Sequence, residues 1–145
     1  MITFTVAGEP FGKKRPRASS FGGHARIHND PENERYELKV INAYKQQIGD
    51  KQFDQEETLS VRIHAWYGIP KSFSKKKQAL ALANKLRPTK KPDLDNIAKS
   101  VLDALNHIAY YDDSQVVTLH VSKWYSGDPR VTVTLYAYDE QGEIK

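Results

Sequence analysis

Residues 90–105, KKPDLDNIAKSVLDAL, decide the fold. At about 100° per residue, Leu94, Ile97, Ala98, Val101, Leu102, Leu105 and, just beyond, Ile108 fall within one broad arc. Asp95, Asn96, Lys99, Ser100, Asp103, Asn106 and His107 fall on the other side. This spacing predicts a main helix from about Asp95 to Ile108 that lays its apolar side on a sheet. The strands for that sheet lie on both sides of it in the chain. Ile2, Phe4 and Val6 alternate with threonines and predict a first strand ending near Gly8. Leu59, Val61, Ile63, Ala65 and Tyr67 alternate with Ser60, Arg62, His64 and Trp66 and predict a second. After YYDD, residues 110–113, Val117, Leu119 and Val121 share one face of a third. The turn SGDP leads to a last strand with Val131, Val133, Leu135 and Ala137 on one face.

Two further helices are expected. Pro31 opens a run in which Tyr36, Val40, Ala43 and Gln47 define one side, widened by Leu38, Ile41 and Ile48, with Gly49 as the stop. Ser72 or Ser74 would cap a short helix through KKKQALALANKL, ended by Pro88. Between the first strand and the first helix, the glycine- and arginine-rich stretch FGKKRPRASSFGGHARIHNDP reads as a loop or loose hairpin. The order strand, helix, strand, two helices, hairpin predicts an α+β fold, a single domain over residues 1–145 with a mixed or antiparallel sheet packed against helices.

Composition narrows the function classes. The chain has 145 residues, 39% of them hydrophobic, with eight tyrosines and two tryptophans, which is globular composition. It contains no cysteine, so disulfides, thiolate zinc sites and cysteine nucleophiles are excluded. No apolar run approaches the roughly 20 residues needed to span a bilayer. No signal-peptide pattern opens the chain, and the expectation is a cytoplasmic protein without a membrane partner. There is no phosphate-binding P-loop and no nucleophile elbow. The five histidines are scattered without zinc spacing.

The net charge of +4 is modest but unevenly spread. From Pro10 to Asn29 stand Lys13, Lys14, Arg15, Arg17 and Arg26 without an acid. From Lys71 to Pro92 stand Lys71, Lys75, Lys76, Lys77, Lys85, Arg87, Lys90 and Lys91, again without one. Such blocks on either side of an acidic cluster suggest a phosphate backbone as partner. The acids between and beyond them admit two readings. Asp93 or Asp95 could be the N-cap of the main helix, a purely structural role worth about 1 kcal/mol. Alternatively, Asp93 and Asp95, with Lys99 one turn on and a second pair at Asp112 and Asp113, could gather round a hard cation such as Mg²⁺. Clustered carboxylates repel one another unless such a cation neutralises them, and a metal beside a lysine suits phosphodiester hydrolysis. Asp113 would reach the helix start only if the following strand runs back along the helix.

The motifs KPDLDNIAKSVLDAL and YYDDSQV, together with IPKSFSKKK and the early KKRPR, resemble the RusA family of Holliday junction endodeoxyribonucleases, bacterial and prophage enzymes that resolve four-way DNA junctions. The resemblance covers nearly the whole chain. It implies a mixed α/β fold, a homodimer and a Mg²⁺-dependent nuclease, Mn²⁺ being an alternative ion. Matched by motif, it implies Asp93, Asp95 and Asp113 as metal-binding carboxylates and Lys99 as the essential lysine. Asn96, Asp112 and Gln115 receive supporting roles. Lys13, Lys14, Arg15, Arg17, Lys71, Lys75, Lys76, Lys90 and Lys91 are expected at DNA. The segment ARIHNDPENERYE departs from the Tyr-Thr-Pro arrangement usual there.

The expected function is therefore structure-selective cleavage of Holliday junctions by paired symmetric nicks in DNA recombination and repair. Two rivals stand beside it. One is a broader nuclease of flaps and forks; the other is a non-catalytic nucleic-acid-binding module in which the aspartates only cap and solvate.

Overall fold

The computed structural model describes the backbone of residues 1–145 and all side chains except those of Arg17, Ser19, Phe21, His24 and Arg26. The strands are β1 (Ile2–Ala7), β2 (Arg17–Phe21), β3 (His24–His28), β4 (Leu59–Gly68), β5 (Val116–Ser126) and β6 (Arg130–Ala137). The helices are α1 (Pro31–Gln47), α2 (Lys75–Leu82) and α3 (Leu94–Leu105). The main sheet has the order β1-β6-β4-β5. β6 pairs antiparallel with β1 and β4, whereas β5 pairs parallel with β4. That parallel pair needs a long crossover, which α2 and α3 provide. The result is a single α+β domain with a mixed sheet.

One face of the sheet carries the core. Phe4, Val61, Ile63, Val133 and Leu135 are buried there against Val40 and Tyr44 of α1 and Ile97, Val101 and Leu105 of α3. The opposite face bears no helix. β2 and β3 form a separate two-stranded arm whose turn places Gly22 and Gly23 at φ +61° and +81°. Positive φ at both central residues is the geometry of a two-residue hairpin turn, and glycine adopts it freely. The stretch expected from the sequence as a loop or loose hairpin is thus a two-stranded antiparallel hairpin.

Several boundaries differ from the sequence reading. α3 ends at Leu105, because Asn106 turns extended and His107 takes φ +65°. α2 ends at Leu82, well before Pro88, where Asn84 enters the left-handed region at φ +60°. Leu38 is exposed on α1, whereas Tyr36, Val40 and Tyr44, spaced four apart, make the buried stripe. On β5, Val117 and Leu119 are 59% and 44% exposed. Leu119 lies in register with buried Val61, so it points to the helical side, and its exposure follows from its place on the edge strand.

Candidate active site

The start of α3 is built unlike an ordinary capped helix. Asp93 occupies the N-cap position with extended backbone, φ −73° and ψ 157°, yet its side chain makes no cap hydrogen bond. Elsewhere the chain uses that bond: Asp30 caps α1 by accepting from Glu32 N at 2.9 Å, and Ser74 caps α2 by accepting from Lys77 N at 3.2 Å. The purely structural reading of Asp93 therefore lacks the contact it requires. Asp93, Asp95 and Lys99 are all exposed. Ion pairs among the described residues join Lys13 to Asp103, Lys14 to Glu32 and Lys145 to Glu57, and none engages Asp93, Asp95 or Lys99.

Phe11 to Lys14 run as a strap over the polar side of α3. Lys13 N donates to Asn96 O at 3.0 Å, and buried Ser100 donates from Oγ to Phe11 O at 2.8 Å. Lys13 Nζ pairs with Asp103. A Cβ at Gly12 would lie 2.5 Å from Pro92 Cβ and 3.2 Å from Asn96 Cβ, so only glycine lets the strap come this close. On its other side the strap is held by buried Asn33 of α1, which accepts from Lys14 N and donates to Lys14 O. Between strap and helix start opens a cleft of about 950 Å³, lined by Lys13, Lys14, Arg15, Lys91, Asp93, Asp95, Asn96 and Lys99 among others. The first basic block is acid-free in sequence but not in space, since Lys13 and Lys14 both meet carboxylates. Arg15, Lys91 and Lys99 line the cleft outside those pairs.

Beside the cleft, behind Pro92, lie the ends of β4 and β5. Tyr67 donates its hydroxyl to Pro92 O at 2.7 Å. The ammonium groups of Lys90 and Lys123 lie 5.8 and 5.2 Å from its ring centroid. Burial pushes the Lys123 ammonium below the ordinary lysine range, while the Asp93 carboxylate pulls it back up. Burial raises the Tyr67 hydroxyl, and Asp93 and Glu9 add to that rise. Lys123 and Tyr67 were not singled out from the sequence. The signal was a lysine standing on the inward-facing side of a strand, between Val121 and Tyr125.

The remaining expected residues sit elsewhere. Asp113 donates its amide to Asn106 Oδ1 at 3.1 Å, at the far end of α3 from Asp93. Twelve helical residues separate those ends, roughly 18 Å at 1.5 Å per residue. Asp93, Asp95 and Asp113 thus do not converge within one chain. Among the described residues no three His, Asp or Glu side chains are grouped closely enough to hold an ion. β5 does run back along α3, but it brings its end, Lys123, to the helix start and leaves Asp113 behind.

Asp112 caps the short 3-10 turn Asp113–Gln115 by accepting from Ser114 N, which draws its carboxyl below the usual range. Buried Gln115 accepts from the amides of Tyr111 and Asp112 and donates to Asp54 O and Glu57 O. These bonds give both residues architectural work. Lys71, Lys75 and Lys76 are exposed on the segment leaving the end of β4, and the Arg17 side chain lies outside the described residues.

No helix among the described residues is long and apolar enough to cross a membrane. The chain is similar to a Bacillus subtilis (strain 168) protein named YqaN, described as uncharacterized, at 43% identity over 141 residues that cover 92% of this chain and 94% of that protein. Residues 7–136 match the family model described as Endodeoxyribonuclease RusA. That match spans the strap, the α3 start and both acidic pairs, and it makes the chain a member of the RusA endodeoxyribonuclease family.

Proposed function

We propose that this chain is a divalent-metal-dependent endonuclease that resolves four-way DNA junctions by paired symmetric nicks, with its active centre at the start of α3. The observation that carries this reading is Asp93: an aspartate at an N-cap without a cap bond, beside exposed Asp95, in a cleft walled by Arg15, Lys91 and Lys99. Carboxylates there would repel a phosphate backbone unless a cation lay between them. Their oxygens fit Mg²⁺, which commonly takes one or two carboxylates and keeps several waters; Mn²⁺ would suit the same donors. When bound, such an ion would neutralise charge and polarise a phosphate oxygen.

The chain's own residues do the rest. Arg15 and Lys91 hold flanking phosphates, and Lys99 and Lys123 place positive charge where the reacting phosphate gathers negative charge. The strap is anchored to the helix that carries the aspartates, and Arg15 follows it directly into the cleft.

Asp113 enters through a homodimer. β5 is an edge strand with Val117 and Leu119 exposed. A two-fold antiparallel meeting of two such edges sets the start of one β5 beside the end of the other. A second copy's Asp113 would then approach the first copy's Asp93, Asp95 and Lys123, and two equivalent centres would result, as two symmetric nicks require.

The test is a labelled four-way junction offered beside flap, fork and linear duplex, with and without Mg²⁺. The reading expects paired nicks at symmetric positions of the junction only when the ion is present. Equal cutting of flaps and forks would favour the broader nuclease. Binding without cutting in Mg²⁺ or Mn²⁺ would overturn the assignment.

A further inference from the structure

The helix-free face of the sheet is neither bland nor neutral. Register places Arg62, His64 and Trp66 of β4 in a row, with His120, Ser122 and Trp124 beside them on β5. Two arginines lie flat on the tryptophans: the Arg87 guanidinium is 3.7 Å from the Trp124 ring centroid, and that of Arg130 is 4.2 Å from Trp66. Both are held by neutral oxygens. Arg87 Nε donates to Lys123 O at 2.9 Å, and Arg130 Nη1 donates to Asp128 O at 2.9 Å and Ser126 Oγ at 3.1 Å. Among the described residues, no carboxylate pairs with Arg62, Arg87 or Arg130. Burial together with the positive charge of His120, Arg62 and Arg87 lowers the pKa of His64, in keeping with a face of one sign.

We propose that this open face is a second DNA-binding surface, on the opposite side of the sheet from the Asp93–Asp95 cleft, that takes the phosphate backbone of a duplex. It rests on the reading that the protein acts on DNA. Three features select the occupant. The guanidinium forks are oriented in advance and keep N–H groups unspent, which suits phosphate oxygens. The rings they cover have no free face on that side for a base to stack on, so a backbone is favoured over an unpaired strand. A second copy docking face to face would set arginines against arginines, so self-association is disfavoured. Arg87 and Lys90 belong to one loop, which places cations on both sides of the sheet.

The two tryptophans of the chain both lie on this face, so their emission reports on it alone. Labelled duplex is titrated by anisotropy while tryptophan emission is followed, across a range of salt, for wild type, R87A/R130A, R62E and the cleft variant R15A/K91A. Tryptophan emission should change saturably with the anisotropy. R87A/R130A should weaken binding several-fold and lower the slope of log affinity against log salt by about two. R62E, whose exposed side chain packs on no ring, should also weaken binding and guards against a misfolded double variant. Duplex binding with constant tryptophan emission and unchanged salt slopes in both face variants would overturn the proposal while leaving the cleft reading intact. A tryptophan emission maximum, or emission per mole of protein, that shifts with protein concentration without DNA would show a self-interface instead, and would equally overturn it. Failure to bind duplex or junction at all would sink this proposal and the nuclease reading together.

Discussion

Asp93 stands where an aspartate ordinarily bonds the first amides of its helix, and its carboxylate does not make that bond. Removing a working N-cap typically costs about 1 kcal/mol. Asp93→Ala should therefore cost well under that in thermal unfolding while abolishing junction cleavage. Ser74→Ala, which removes a cap bond that is present, should cost about 1 kcal/mol. A full cap penalty at Asp93 with cleavage retained would restore the structural reading. Lys123 invites a second substitution. Lys123→Met removes the cation beside Asp93 but keeps an unbranched chain over Tyr67. Cleavage should fall on the order of a hundredfold at nearly unchanged melting temperature, with partial recovery in Lys123→Arg. Equal rates in wild type and Lys123→Met would exclude the residue from the centre.

At the scale of elements, the strap decides how the basic block meets α3. Gly12→Ala puts a Cβ where Pro92 and Asn96 already are, so residues 11–14 must lift. Junction affinity should drop several-fold in a binding titration, with the core helices intact by circular dichroism. On the open face, His64 is held mainly by burial at a lowered pKa, next to Ser122 Oγ at 2.9 Å. The unfolded chain therefore takes up the proton first as pH falls. The stability this group contributes is present above its ordinary value of 6.5 and is lost as pH drops toward the folded value. Denaturant midpoints should decline below about pH 6.5, and His64→Asn should flatten that decline. α3 and its acids were legible because period and cap chemistry are local. Ser100 was not: it sits on the polar arc, but its partner, Phe11 O, is 89 residues away in sequence. The place of Asp113 depended on β5 lying parallel to β4, a pairing that no local pattern encodes.

For the whole molecule, strand direction turns one expected site into two halves. Asp93 and Asp95 lie at one end of α3 and Asp113 at the other, and the exposed edge of β5 is the surface across which two copies could join them. The residues of the proposed centre are legible in the sequence but their proposed assembly is not, because assembly follows from where strands begin and end. Asp95→Asn alone should stop cleavage while leaving junction binding equal or tighter, since it removes a negative charge from a phosphate-facing surface. The most direct measurement mixes two inactive variants, Asp95→Asn and Asp113→Asn, under conditions that exchange subunits, and assays a four-way junction in Mg²⁺. If the centre spans two copies, the mixed dimer holds one centre with both defects and one with none, so single-strand nicking should return at a fraction of the wild-type rate. If each centre lies within one chain, every centre in the mixture keeps a defect, and the absence of restored nicking would contradict the account.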